Sequence, residues 1–162
     1  LLVFESWARY TEVSVELERA TLIDFAVQYP RSIASLLPTV PPIIKAHGID
    51  QADLGDLFAV RRLATLREDF STVLVMLTSR HLVEEGVKAS RAAFTITPEG
   101  RHAASAFSSP LALAIRALAD SLCMAWKRSS VEGLRSQIRD ALPDASRAAS
   151  ELGRAVTLQE DE

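Results

Sequence analysis

Hydrophobic residues in the middle of the chain recur first at the spacing of a helix and then at the spacing of strands. Between residues 66 and 82 the apolar positions lie three and four residues apart, which predicts an amphipathic helix. Residues 82–88 and 92–97, on either side of a polar turn, predict two short strands. Thr97 is the predicted N-cap of the next helix, with Pro98 at its first position. The predicted inward face of the central helix consists of Leu66, Phe70, Val73, Leu74 and Leu77.

Helices are also predicted before this central segment. Residues 1–10 have the pattern of the end of a helix, and Ser14 is the predicted N-cap of a second helix. That helix runs to about Tyr29, because Pro30 prevents its continuation. Its apolar residues cover more than half of its circumference, so we expect it to be packed on several sides. The prolines at positions 38, 41 and 42 predict an extended connection over residues 39–48, and Asp50 is the predicted cap of a short helix over residues 50–63.

Further helices are predicted after the strands. The helix that begins at Pro98 runs to about Phe107, and Ser109 can cap a new helix that continues to Trp126. A last helix is predicted over residues 131–142. The polar segment 144–162 is predicted to be mobile or to lie on a partner.

The order helix, β-hairpin, helix is typical of the second half of a winged helix, a three-helix helix-turn-helix domain that carries a hairpin. The predicted fold is therefore mainly α, a winged helix with additional N- and C-terminal helices. Residues 1–143 are predicted to form one domain, followed by the tail.

The composition narrows the classes of function. The chain has 162 residues, a net charge of -3 and 48% hydrophobic residues. Its acidic balance is not that of an obvious nucleic-acid binder. So high an apolar fraction indicates either helices buried on several sides or an apolar surface that a partner covers. Cys123 is the single cysteine, which excludes an intrachain disulfide and fits a reducing cytoplasm. Arg116 and Asp120 interrupt the longest apolar stretch, and residues 1–4 are too short for a signal peptide, so neither a membrane span nor a leader is predicted.

Candidate chemistry is sparse in this sequence. The histidines His47, His81 and His102 lack the spacing of metal ligands. The aspartates at positions 50, 53 and 56 fit a capping, solvated helix edge better than a magnesium site. The chain has neither a glycine-rich phosphate loop nor a nucleophile elbow. Cys123 lies on an apolar helix and is expected to be a core residue. We therefore expect no catalytic residue, no metal and no cofactor, and we predict that the chain is not an enzyme.

The segment 82–101 resembles the wing and exit helix of MarR- and PadR-like regulators, and the resemblance extends over residues 54–107. In those proteins the helix before the wing enters the major groove. Here Glu68 and Asp69 occupy exposed positions of that helix, and carboxylates oppose the phosphate neutralisation on which affinity depends. The residues that remain candidates for contact with nucleic acid are Lys88 and Arg91 in the wing, and Lys127, Arg128, Arg135 and Arg139 near the last two helices. An ordinary solvated face is the favoured interpretation of the last four.

A wider resemblance is carried by three stretches: residues 17–25 (LERATLIDF) with Tyr29-Pro30 after them, the helix that leads to Leu82-Val83 with its short wing, and residues 108–118 (SSPLALAIRAL). Their order is similar to the middle component of ABC-three component systems, the Lamassu-type anti-phage group. The resemblance implies a small non-catalytic subunit that accompanies an SMC- or Rad50-like ATPase and a separate effector, often a nuclease. Such subunits are similar in role to the winged-helix kite subunits of condensin-like complexes.

The expectation is therefore a cytoplasmic adaptor in a hetero-oligomer, which links the ATPase to the effector and restrains the effector until foreign DNA is sensed. The aromatic residues are mainly core candidates, among them Phe107, although Trp7 and Trp126 are also plausible interface anchors. The alternative is a homodimeric transcription regulator that dimerises through residues 111–142 and contacts DNA through Arg67, Lys88 and Arg91. The candidate partner-binding residues of the adaptor are Trp7, Leu113, Arg116, Trp126, Glu68 and Asp69.

Overall fold

The computed structural model describes residues 1–11, 14–31, 33–37, 42–46 and 59–142. These residues are mainly helical and include a small three-stranded antiparallel sheet. In chain order the elements are α1 (Leu2–Tyr10), β1 (Val15–Glu16), α2 (Leu17–Gln28), a 3-10 turn (Ala34–Leu36), α3 (Pro42–Ala46), α4 (Ala59–Ser79), β2 (Val83–Lys88), β3 (Arg91–Ile96), α5 (Pro98–Ser105), α6 (Pro110–Trp126) and α7 (Val131–Ala141).

The predicted hairpin is present within one residue of its expected bounds. β2 and β3 pair antiparallel from Val83 opposite Ile96 to Lys88 opposite Arg91. The two residues between them, Ala89 and Ser90, have φ values of 49° and 64°. A two-residue turn with φ positive at both positions is a type I′ turn, whose twist matches that of the flanking strands.

A third strand replaces the predicted N-cap at Ser14. Val15 and Glu16 form β1 and pair with Phe94 and Ala93 of β3, so the order of the strands is β1-β3-β2. The helix α2 therefore begins at Leu17, and its N-cap residue, Glu16, makes no side-chain cap. These two residues pair with the free edge of β3. This pairing is a tertiary interaction, so the local preference of serine for a capping position does not predict it.

The helix α4 starts earlier and ends earlier than predicted. It runs without a break from Ala59, so the predicted boundary between residues 63 and 66 does not exist. The sequence there, Leu-Ala-Thr-Leu, holds neither glycine nor proline to end a helix. Residues 50–58 of the predicted short helix lie outside the described residues.

The C-terminal end of α4 is fixed by a Schellman motif. His81 adopts the left-handed conformation with φ 56°. The amide of Leu82 donates to the Leu77 carbonyl over 2.9 Å, and that of His81 donates to Thr78 over 3.0 Å. Leu82 thus leaves the helix and leads directly into β2.

Residues 42–46 form the short helix α3, where an extended connection was predicted. Pro42 occupies the first helical position, where its missing N–H breaks no helical hydrogen bond. Ile44 is fully buried, as expected of a residue that pins this segment to the core. The remainder of the predicted connection lies outside the described residues.

The core forms where α1, α2, α4, α6 and the sheet meet. The ring of Phe4 lies between Phe70 of α4 and Phe94 of β3, with ring centroids 6.2 Å and 6.4 Å away. α2 is buried on several sides, as its pattern predicted. Two predicted core positions are wrong, since Val73 and Phe107 are about half exposed.

Three helix starts near the C-terminal half are capped by hydroxyl groups. Thr97 Oγ1 accepts from the Gly100 amide at 2.9 Å, and Ser109 Oγ accepts from the Ala112 amide at 3.2 Å. Both caps were predicted, each with a proline at the first helical position. Ser130 caps α7 in the same way. The predicted tail lies outside the described residues.

Candidate protein-interaction surface

The outward face of α4 carries exposed apolar side chains. Val75 is 69% exposed and Met76 is 52% exposed. Glu68 and Thr72 are exposed on the same side of the helix. Exposed apolar residues grouped on one element are typical of a surface that a partner covers. The side chains of Arg67 and Asp69 lie outside the described part, so the candidate Asp69 is not placed.

An open groove of about 470 Å³ separates the second half of α4 from the sheet. Its apolar lining comes from α4 through Leu74 and Val75, from β3 through Ala92 and Phe94, and from the start of α2 through Leu17. We call this feature the α4 groove. The described residues that line it are Leu17, Ser71, Leu74, Val75, Thr78, Ser79, Glu85, Ala92 and Phe94.

Glu85 is the charged side chain among the described residues that line the α4 groove. It lies opposite Phe94 in the β2–β3 ladder, on the sheet face that packs toward α4. Glu84 precedes it and therefore projects from the opposite face of the sheet. Glu68 lies two turns before Val75 on the same side of α4. The candidate Glu68 is therefore exposed as expected, on the side of α4 that carries Val75, but it does not line the groove.

The basic candidates lie in two parts of the described chain, the hairpin and the segment from the end of α6 through α7. In the hairpin, Lys88 Nζ lies 3.5 Å from the Ser14 carbonyl, and Arg91 Nη1 lies 3.9 Å from Glu16 Oε2. Both wing cations therefore face β1 and its flank rather than the α4 groove. Three further basic side chains, Lys127, Arg128 and Arg139, are exposed beyond α6 and on α7.

Arg135 is paired with a carboxylate of this chain. Its Nη2 donates to Glu18 Oε1 across the contact between α7 and α2. Because both side chains are more than a third exposed, solvent screens this ion pair. The pairing reduces the charge that Arg135 offers to a phosphate backbone.

The two tryptophans belong to the core, so their assignment as interface anchors is wrong. Trp7 is 4% exposed and Trp126 is 3% exposed. Arg19 of α2 covers this region, with its guanidinium carbon 5.4 Å from the centroid of the Trp7 ring. It also donates to the carbonyls of Trp126 and Ser129 over 2.8 Å and 2.7 Å. The apolar environment of α2 around Arg19 is the sequence signal for such a partly buried anchoring role.

Arg116 is likewise engaged within the chain and is not a free surface residue. Its Nε lies 3.1 Å from Glu5 Oε2, and its Nη2 donates to the Ala104 carbonyl over 2.8 Å. Leu113 lies one turn before Arg116 and is 42% exposed. With the exposed Met124, eleven residues further along α6, Leu113 marks a narrow outward stripe. Of the three candidates on α6, Leu113, Arg116 and Trp126, only Leu113 is therefore accessible to a partner.

The described residues hold no group of three or more side chains suited to bind a metal ion. His81 and His102 are both exposed at separate helix ends. Cys123 is fully buried, and burial, with a smaller contribution from Asp120, raises the pKa of its thiol to about 12. The thiol is thus protonated at neutral pH and poorly suited to act as a nucleophile. His47 and the three aspartates near residue 53 lie outside the described residues.

Sequence reasoning interpreted Glu85 as surface charge but did not find Met76 and Val87 as candidate surface residues. Val87 is 81% exposed, although it lies on the same sheet face as the buried Val83. Strand alternation alone predicts that both valines point inward. The signal that distinguishes them is position, since Val87 lies at the tip of the hairpin, beyond the reach of α4.

No protein-family model, curated protein or solved structure matches the chain. Within the described ranges, none of the helices combines the length and apolar character needed to cross a membrane.

Proposed function

We propose that this chain is a non-catalytic winged-helix adaptor of a multi-protein assembly, which acts in the cytoplasm. The observation that carries the proposal is the apolar surface of α4 and its groove, formed by Val75, Met76 and the residues beneath them. A surface of this kind is costly to leave in water and is stabilised when a partner covers it.

The winged-helix assignment is supported by the order of the elements. The hairpin follows α4 directly, and the capped helix α5 follows the hairpin. Since α4 is unbroken from Ala59, the helix that pairs with it cannot be residues 59–63. α2 packs on α4 and is the described helix that fits this role.

Adaptor function is favoured over a DNA-binding regulator by the placement of charge. The side of α4 that would face a DNA groove carries Glu68, Val75 and Met76. The wing residues Lys88 and Arg91 face Ser14 and Glu16. A regulator would need cations at these places, because phosphate neutralisation supplies most of its affinity.

The resemblance to the middle component of Lamassu-type systems supplies the partners in this proposal. They are an SMC- or Rad50-like ATPase and an effector, with a nuclease as the expected effector type. The adaptor would bridge the two and restrain the effector until foreign DNA engages the ATPase.

Co-expression of the chain with the products of its neighbouring genes tests the proposal. We expect one stable hetero-oligomer that contains a large coiled-coil ATPase, as measured by mass photometry and mass spectrometry of the purified assembly. A lone homodimer that shifts DNA from its upstream region, with a steep dependence on salt, would instead support the regulator.

A further inference from the structure

We propose that the α4 groove, lined by Leu74, Val75, Phe94 and Glu85, docks a partner segment in which apolar side chains lie next to a lysine or arginine. This inference rests on the proposed adaptor function and specifies the surface and the chemistry of the partner.

The size and floor of the groove fit apolar side chains. Its volume of about 470 Å³ lies within the range of about 300–1,000 Å³ typical of pockets that bind drug-sized molecules. Leu74 and Phe94 are almost fully buried and form a rigid base, whereas Val75 is largely exposed at the rim. Burial of apolar area over this base is the main gain that docking would bring.

The carboxylates determine the sign of the partner's charge. Glu85 lines the groove and forms neither a hydrogen bond nor an ion pair with another described residue. Glu68 on the same side of α4 has no such partner for its carboxylate either. A docked segment removes water from Glu85, and a carboxylate that loses water without gaining a partner is strongly destabilised. A cation on the segment offsets this cost, so an apolar segment that lacks one fits the groove less well.

The cations whose side chains are described near the groove do not supply that charge. Lys88 and Arg91 lie opposite each other in the register of β2 and β3. Both side chains project from the face of the sheet opposite to that of Glu85. Arg80 lies on the side of α4 that points away from Val75, because five residues rotate the helix by about 140°. Among the described residues, the groove is therefore apolar with an uncompensated negative charge.

Two synthetic amphipathic peptides provide the probe. Both carry the same leucines, and their polar positions are lysine in one and glutamate in the other. Titrated into the full ¹⁵N-labelled chain, the lysine peptide is expected to shift the amide resonances of Val75, Thr78, Glu85 and Phe94. The glutamate peptide is expected to bind at least roughly tenfold more weakly, which corresponds to about 1.4 kcal/mol.

Adjacent residues on opposite sheet faces give a matched control. Glu85→Lys and Glu84→Lys change the net charge equally, but only the first alters the groove. We expect Glu85→Lys to weaken binding of the lysine peptide roughly tenfold and Glu84→Lys to change it less than about twofold. Equal losses for both variants, or resonance shifts that avoid the groove, would overturn the proposal, because they would indicate attraction to net charge alone.

A second pair of variants examines the apolar contribution within the assembly. Val75→Asp places a charge at the groove, whereas Val73→Asp places one on an exposed part of α4 that does not line it. We expect Val75→Asp alone to release a partner from the co-expressed complex, with circular dichroism showing both variants folded. If both variants keep the complex, the groove inference is wrong and the adaptor function stands. If the unchanged chain forms no complex, the adaptor function itself fails.

Discussion

Arg116 and Glu5 join α6 to α1, two helices that pack against each other. Arg116 Nε donates to Glu5 Oε2 over 3.1 Å, and its Nη2 reaches the Ala104 carbonyl of α5 at 2.8 Å. Glu5 also accepts from Arg9, whose other terminal nitrogen lies 2.5 Å from Asp120. These four side chains alternate in charge, and their contacts link α1 to α6. Residues that look like surface charges in the sequence thus serve as internal links.

Arg116→Met is expected to lower the free energy of unfolding by about 1.5–3 kcal/mol. The change removes the donor to Glu5 Oε2, so that Glu5 keeps only its bond from Arg9, and it removes the guanidinium donor to the Ala104 carbonyl; both acceptors are poorly exposed. Arg135→Met is the matched control, because its bond to Glu18 joins two side chains that are more than a third exposed. There we expect a loss below about 1 kcal/mol. Urea denaturation compares the two, and equal losses would show that Arg116 does not have this linking role.

Gly100→Ala is expected to destabilise the chain by about 3 kcal/mol or more. A Cβ at this position would lie 2.0 Å from the Leu82 carbonyl oxygen and 2.8 Å from Ile96 Cγ1. The first neighbour is backbone, held where α4 turns into β2, and cannot move aside cheaply. Gly86→Ala in β2 meets nothing nearer than 3.9 Å. It is expected to stabilise the strand by about 0.5–1 kcal/mol, so the two variants should shift the urea midpoint in opposite directions.

These contacts show why local elements could be predicted and their mutual arrangement could not. The caps at Thr97 and Ser109 depend on residues three positions away, and both were predicted. β1 depends on the free edge of β3, about 80 residues further along the chain, and local pattern predicted a helix cap there instead. α4 lacks a break because its sequence contains neither glycine nor proline, so nothing in the chain ends a helix at the predicted boundary between residues 63 and 66.

The candidate surface was predicted only in part, for a related reason. The sequence indicates that Glu68 and Val75 are exposed, since both lie off the apolar face of α4. It does not indicate whether a tryptophan or an arginine near a helix end is covered, because that depends on which helix packs against it. Trp7, Trp126 and Arg116 are covered by such contacts. The groove arises from the separation between α4 and the hairpin tip, which no single element contains.

Asp24→Asn is expected to stabilise the chain at neutral pH and to lose this effect in acid. Burial raises the pKa of the Asp24 carboxyl, partly offset by the hydrogen bond from Gln28 Nε2 at 2.5 Å. A carboxyl with a raised pKa in the folded state favours folding fully below its ordinary pKa and loses that contribution as the pH rises through the folded value. The ionised group therefore costs stability at pH 7, which asparagine removes.

Denaturation midpoints between pH 7 and pH 4 provide the measurement for Asp24. The gain from Asp24→Asn should shrink steadily toward the ordinary aspartate pKa of about 3.9. Glu84→Gln, which removes an exposed carboxylate from β2, serves as the control and should leave the midpoint nearly unchanged. A gain from Asp24→Asn that is independent of pH would contradict the assigned cause.

Leu113→Asp and Trp126→Asp are expected to affect folding differently, because Leu113 lies on the surface of α6 and Trp126 lies in the core. Leu113 is 42% exposed, so a carboxylate there stays in water and should cost less than about 1 kcal/mol. Trp126 is 3% exposed, and its replacement both opens a cavity and buries a charge. We expect Trp126→Asp to unfold the chain, as measured by circular dichroism, and Leu113→Asp to remain folded.

The outward stripe of α6 can therefore be tested for partner binding through Leu113 and Met124. Loss of the co-expressed assembly with a folded Leu113→Asp chain would show that this stripe contacts a partner, and retention would show that Leu113 does not.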